Sequence, residues 1–306
     1  MIYTIGETVL DIIFNSIEKV KIKPGGSMLN TAVSLGRLRL PVSHISITST
    51  DKASDMLIEF LDKNNVNCDY FFRKDYIKTN LALAHLDQNN NAEYSFYKDK
   101  LIDTPNLKFP ECTSNDLILF GSFYSLNPII HNQLSNFLID AKAKGAYIIY
   151  DPNFRKTHLD NLQELKPFII SNLEKCNLVK ASNEDFENIF GVNNSKSAWK
   201  ILNKISIENL VYTKGKQGAE LINNDIKISV LAKNISTKST IGAGDTFSAG
   251  IIFYLHENFV KHNRTIILSE KDWKDCLELA TEFSSQTCQS YDNYISHEFA
   301  NKVNNV

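Results

Sequence analysis

No cysteine in this 306-residue chain sits in a C-x-x-C pair. Cys68, Cys112, Cys176, Cys276 and Cys288 are scattered and odd in number, which argues against a disulfide framework and against a zinc site. They read as buried free thiols in a reducing compartment. An excess of positive charge is lacking too: Lys plus Arg total 33 against 35 for Asp plus Glu. No bulk field therefore draws the chain to nucleic acid or to an anionic membrane, and a small-molecule substrate fits better. No apolar run approaches membrane-spanning length, and residues 1–6 pass straight into a strand-like pattern with no signal-peptide character. The expectation is a cytoplasmic protein. Neither an internal repeat nor a linker is visible, and 43% hydrophobic content can bury a large core. That length and composition suit a single α/β domain over residues 1–306 with an appendage.

What is present is an alternation of strand and helix signals. Residues 2–5 read as a strand, 28–38 as a helix, 43–48 as a strand and 54–63 as a helix. Alternation of this kind implies a mostly parallel sheet with helices on both faces. The pattern then breaks, because 66–72, 79–86 and 92–97 read as consecutive strands, the last two joined by the polar turn 87–91. A β-only excursion inside an α/β chain predicts a small accessory sheet, to which 9–14 and 20–22 could contribute. Alternation resumes with strands at 117–120, 147–150, 178–181 and 210–213, and a long helix is expected over 271–291. In open α/β sheets, sites form beyond the carboxyl ends of such strands.

One segment carries chemistry of its own: Ser239-Thr240-Ile241-Gly242-Ala243-Gly244-Asp245-Thr246-Phe247. Phe247, Ile251 and Leu255 recur at helical spacing, so the glycines fall at the first turn of a helix whose unpaired N–H groups attract anions. Gly242 and Gly244 let the backbone approach a phosphate. Asp245 would stand beside the same anion, where a carboxylate is useful only for removing a proton or holding a metal. Taken alone, the motif reads equally well as an N-capped helix with Asp in its first turn.

Four further segments, in order along the chain, resemble the PfkB/ribokinase family of carbohydrate kinases, and fructokinases most closely. Gly25-Gly26-Ser27-Met28-Leu29-Asn30 looks like the family's Gly-Gly turn feeding a helix. Asp151-Pro152-Asn153-Phe154-Arg155, Asn183-Glu184 and Thr213-Lys214-Gly215-Lys216-Gln217-Gly218 follow, ahead of the glycine-rich segment. The resemblance spans nearly the whole chain. It implies a ribokinase-like α/β fold with a β-sheet lid inserted at about 8–23 and 66–98, and it implies ATP and Mg²⁺ as cofactors. The helix end formed by Gly242, Ala243, Gly244 and Asp245 would be the anion hole, with Asp245 as general base on a sugar hydroxymethyl.

Asp11, Gly26, Asn30, Phe96, Lys98, Asn153 and Arg155 would then bind the sugar, and Asn183, Thr213, Gly215 and Gly218 the nucleotide. Read without the resemblance, the Thr213–Gly218 loop is an ordinary hairpin turn. Glu184 or Asp185 would hold the metal through water, while Phe186 stands where the family has an acidic residue. Other departures are Lys98 in place of an arginine, and Ser239-Thr240-Ile241 where relatives carry oxygen donors for a monovalent cation. Partners are expected to be small molecules only, with a homodimer through the lid sheet. Three readings follow: a fructokinase, a 2-keto-3-deoxygluconate kinase using Arg155 on the substrate carboxylate, or a catalytically weak sugar-binding protein.

Overall fold

A computed structural model describes residues 1–16, 19–86, 92–103, 105–205, 207–261 and 268–305. The expected turn at 87–91 lies outside the described residues. In chain order the first elements are β1 (Ile2–Ile5), β2 (Val9–Ser16), β3 (Lys19–Gly25), α1 (Ser27–Arg37), β4 (Val42–Ser49) and α2 (Lys52–Lys63). Then come β5 (Val66–Asn67), β6 (Phe71–Lys74), β7 (Asn80–Leu86), β8 (Ala92–Tyr97), β9 (Leu117–Gly121), α3 (Pro128–Ala143), β10 (Tyr147–Asp151) and α4 (Leu162–Leu173). The rest are β11 (Leu178–Ser182), α5 (Asn183–Phe190), α6 (Ser195–Leu202), β12 (Asn209–Thr213), β13 (Ala219–Ile222), β14 (Lys227–Val230), α7 (Ala243–Lys261), α8 (Glu270–Cys288) and α9 (His297–Asn304).

The large sheet runs β14-β13-β12-β11-β10-β9-β1-β4-β5, with β6 beside β4. It is parallel except where β13 pairs with β12 and β14. Strands β1, β4, β9 and β10 are buried at every position because both faces of the sheet are covered. Ile2, Leu117, Leu119 and Ile149 pack under α1, α7 and α8 with Leu29, Ile251 and Phe283. Their neighbours Tyr3, Ile5, Ile118, Phe120 and Ile148 pack under α3, α4 and α5 with Leu138, Ile169 and Phe186. This is a ribokinase-like α/β architecture in which the strand ends at Gly121, Asp151, Ser182 and Thr213 share one edge.

The small sheet has the order β3-β2-β7-β8. Here the structure corrects an expectation: residues 66–74 do not belong to it. β5 and β6 pair in parallel with β4 at the edge of the large sheet, where Phe71 faces one core layer and Phe72 the other. Two adjacent half-buried aromatics packed on opposite sides suit a two-sided sheet, not a lid with one solvated face. Among the described residues the inserted small sheet therefore comprises Val9–Ser16, Lys19–Gly25, Asn80–Leu86 and Ala92–Tyr97. The last long helix also stops three residues earlier than expected. The Cys288 carbonyl accepts the Lys238 N–H at 2.8 Å, and the chain beyond it turns back to bury Asn293.

Candidate active site

Two helix starts converge on one carboxylate. Asp245, in the first turn of α7, accepts hydrogen bonds from Ser27 Oγ at 2.6 Å and Asn30 Nδ2 at 2.8 Å, both on the first turn of α1. Thr31 Oγ1 donates to the Asp245 backbone carbonyl at 2.9 Å, which locks the two helices in register. Burial raises the Asp245 pKa, opposed by the Asn30 and Ser27 hydrogen bonds and by the Lys180 charge. That balance suits a carboxylate asked to take a proton.

The turn into α7 depends on Gly242. Its φ is +76°, and a Cβ there would lie 2.2 Å from the Asn293 carbonyl oxygen, so both conformation and space demand glycine. The helix begins with Thr246 N–H donating to the Gly242 carbonyl at 2.9 Å. Of the expected anion-hole residues, Ala243 turns its N–H back to the Thr240 carbonyl at 3.2 Å. Gly244 is exposed and, with Asp245, carries first-turn N–H groups that α7 itself leaves unpaired.

Beneath this turn lies a charged layer. Lys180 Nζ on β11 donates to Asp151 Oδ2 on β10 at 2.8 Å, and both side chains are buried. Ser248 Oγ bridges Asp151 Oδ2 at 3.3 Å and the Gly244 carbonyl at 3.2 Å. Burial works to lower the Lys180 pKa, but the Asp151 carboxylate together with Asp245 and Asp185 offsets it and the net shift is upward.

Asp185 does not offer a free carboxylate to a metal. One oxygen accepts the Phe154 N–H at 2.6 Å and the other accepts Ser182 N–H and Oγ at 2.7 and 2.6 Å, which closes the capping box of α5. Phe186, where an acidic group was expected, is 2% exposed and packs on Phe190 and Tyr212. The buried acid at this strand end is thus Asp185, one residue earlier, facing Asp151 and Lys180. Glu184 is exposed and Asn183 half-buried at the start of the same helix.

The small sheet brings Asp11 to the opposite wall. Asn293 Nδ2 donates to Asp11 Oδ2 at 3.1 Å, and a Cβ on Gly25 would sit 2.3 Å from that oxygen, so the carboxylate needs the gap glycine leaves. Burial pushes the Asp11 pKa up to about 7; the Asn293 bond opposes the rise and the Asp245 charge adds to it. Lys23 ties the same strand pair to the last loop, donating to the Tyr291 carbonyl at 2.5 Å and to Asp292 at 2.6 Å. Gly26 caps α1 beneath the Glu7 carbonyl.

Farther out, Lys98 pairs with Glu7 and lies over the rings of Phe96 and Phe123 at 4.8 and 5.7 Å. Phe123 stacks on His158 at 4.2 Å. Asn153 holds φ +41° just beyond β10, a conformation uncommon outside glycine, and Arg155 is exposed two residues on within electrostatic reach of Asp11.

Thr213 closes β12, and Gly215 follows in a short 3₁₀ turn leading into β13. Gly218 has φ +88° and would push a Cβ to 2.0 Å from the Val230 carbonyl, so its glycine serves the approach of β14. The structure thus joins Asp245, Asn30 and Asp11 in one cluster, and sets Asn183, Thr213 and Gly215 at the neighbouring strand ends. Sequence reasoning missed Ser27, Phe123, Lys180 and Asn293. Lys180 had a legible signal, a charge inside the apolar strand Leu178–Ser182; Asn293 had none.

Known proteins resemble the chain along this same framework. The family model described as pfkB family carbohydrate kinase matches residues 1–299. A fructokinase from Rhizobium leguminosarum bv. trifolii is 30% identical over 259 residues, 81% of this chain and 76% of that one. An aminoimidazole riboside kinase from Salmonella enterica, solved with aminoimidazole riboside and an ATP analog, superposes with a TM-score of 0.84 at 18% identity over 99% of this chain and 98% of the other. A fructokinase from Vibrio cholerae O395, solved with fructose, ADP and calcium, gives 0.83 at 19% identity over 97% and 95%.

Proposed function

The chain belongs to the pfkB family of carbohydrate kinases, and from that premise we propose that it phosphorylates fructose at a hydroxymethyl group with ATP, giving fructose 6-phosphate and ADP. The observation that carries this reading is Asp245, held by Ser27 and Asn30 at an anion-binding helix end with Asp11 on the facing wall. The hydroxymethyl proton passes to the Asp245 carboxylate as the sugar oxygen bonds to the γ-phosphorus and the bond to the β,γ-bridging oxygen breaks. First-turn N–H groups of α7 oppose the charge that develops on the phosphoryl oxygens.

Asp11 and Asn30 present an acceptor and a donor to neighbouring sugar hydroxyls, and Phe96 and Phe123 give the ring an apolar wall. Because Lys98 is paired with Glu7, that wall carries no net charge, which suits a neutral sugar better than a sugar acid. Arg155, exposed near Asp11, keeps 2-keto-3-deoxygluconate as the second reading. The triphosphate would run from Gly244 across the ends of β11 and β12, past Asn183, Thr213 and Gly215.

Among the described residues no three His, Cys, Asp or Glu side chains converge as a metal site. A magnesium ion would be carried on the phosphates, with exposed Glu184 reaching it through water. When bound, that ion would offset phosphate charge. A second copy of the chain fits the outer face of the small sheet, where Ile22 is 61% and Tyr97 60% exposed around half-buried Ile12 and Leu83. No helix of the described residues is long and apolar enough to cross a membrane, and the reading places the enzyme with its ATP in the cytoplasm.

The test is ADP release across fructose, ribose, adenosine and 2-keto-3-deoxygluconate. Fructose should give the highest kcat/KM. A preference for the keto-deoxy acid that disappears in Arg155→Ala would replace fructose by the second reading, and absence of ADP with every acceptor would leave the sugar-binding protein.

A further inference from the structure

We infer that Lys180 is a positioning residue of the phosphoryl-transfer centre, a buried charge stored under the first turn of α7 that supplies the positive potential the γ-phosphoryl group meets there. Its place is set by geometry. Beyond its own helix backbone and chain neighbours, a Cβ built on Gly244 would meet Lys180 Nζ at 3.2 Å. The ammonium therefore lies directly beneath the exposed backbone of the helix end, one atom layer from where an anion would bind. Asp151 holds it from the far side at 2.8 Å, and Ser248 links Asp151 to the Gly244 carbonyl.

Fold stability does not account for this arrangement. A cation under the N-terminus of a helix is repelled by the helix dipole. A buried ion pair is usually no more stabilising than an apolar pair of the same size. Asp151 Oδ1 is also buried with no hydrogen-bond partner among the described residues, a further cost. The neighbours Val179 and Ala181 are fully apolar and buried, so an apolar side chain at 180 would suit the strand better. The repulsion is relieved when an anion arrives above Gly244. Lys180 also lies among three carboxylates, Asp151 on β10, Asp185 on α5 and Asp245 on α7. Its charge therefore favours the ionised form of Asp245 against the effects of burial and of the Asp151 charge.

The inference rests on reading the α7 terminus as the phosphoryl site, and the experiment separates the two. Lys180→Met alone strands the Asp151 charge, so it is paired with Lys180→Met/Asp151→Asn, which removes both charges and keeps net charge and approximate volume. The expected result is that the double variant regains the wild-type thermal midpoint while kcat at saturating fructose and ATP stays about 10²-fold down, the size of losing one transition-state donor. Fructose KM should stay within about threefold, since ground-state sugar contacts are untouched. If the charge pair is merely structural, the double variant recovers kcat to within about fivefold of wild type, and the inference falls.

Calorimetry supplies a readout that needs no turnover. ADP with fluoroaluminate and fructose, a mimic of the transferring phosphoryl group, should bind the double variant at least about tenfold more weakly than wild type, with ADP alone unchanged. Equal binding of the mimic overturns the inference. A wild-type protein that releases no ADP with any sugar would sink the proposed activity instead, leaving the calorimetric comparison to judge Lys180.

Discussion

Replacing Asp245 by Asn changes one atom of the site and removes its basicity. Ser27 Oγ and Asn30 Nδ2 approach the two carboxylate oxygens separately, at 2.6 and 2.8 Å. The amide can keep both bonds by turning its oxygen to Asn30 and its NH₂ to Ser27, whose hydroxyl also accepts. Shape and substrate binding should therefore survive. Stability should not fall either. Burial raises the Asp245 pKa, so the folded state favours the protonated form, and its stabilising contribution is present at low pH and lost as pH rises through the folded pKa. Asn mimics that protonated form at every pH, and the thermal midpoint near neutrality should equal or exceed wild type.

Catalysis should fall by about two to four powers of ten, the usual worth of a positioned general base, or about 3–5 kcal/mol of barrier. A coupled assay of ADP release at saturating fructose and ATP reads kcat, and calorimetry reads ligand binding. The reasoning is refuted by a variant that keeps more than about a hundredth of wild-type kcat. Lost kcat with lost fructose and ATP binding would equally refute it, since the substitution would then have disturbed the site and not its proton transfer.

Two further outcomes are expected. Asp11 has its pKa raised from 3.8 to about 7, so its contribution to stability is complete below about pH 4 and lost as pH climbs through about 7. The thermal midpoint should decline over that window, and Asp11→Asn should flatten part of the decline; an unchanged slope refutes the assignment. K⁺ should stimulate turnover weakly or not at all, because Ile241 contributes no side-chain oxygen and Ser239 Oγ already accepts the Ile241 N–H at 3.2 Å, whereas K⁺ needs several oxygens in place of water. Initial rates against K⁺ at constant ionic strength, balanced with a bulky ammonium salt, would contradict this by showing strong saturable activation.

Element types were legible in the sequence because they are set locally. Continuous apolar runs such as Leu117–Phe120 and Tyr147–Tyr150 announced strands covered on both faces, and the glycine pair before Asp245 announced a helix start. Where elements pair was less legible. Residues 66–74 have strand character suited to either sheet, and only the pairing with β4 assigned them; period-2 patterning reports burial on a face, not the identity of the neighbour.

Within the site the same division holds. Asp11, Asn30 and Asp245 stood out through their motifs. Asn293 reaches Asp11 across 282 residues of sequence, and Ser27 reaches Asp245 across 218, contacts that no local pattern encodes. Which acid faces Lys180 was decided by helix phase: the cap at Ser182 turns Asp185 toward the strand ends and Phe186 into the core. A rotation of about 100° per residue separates a carboxylate at the site from a ring in the interior, and only the packed helix sets its origin.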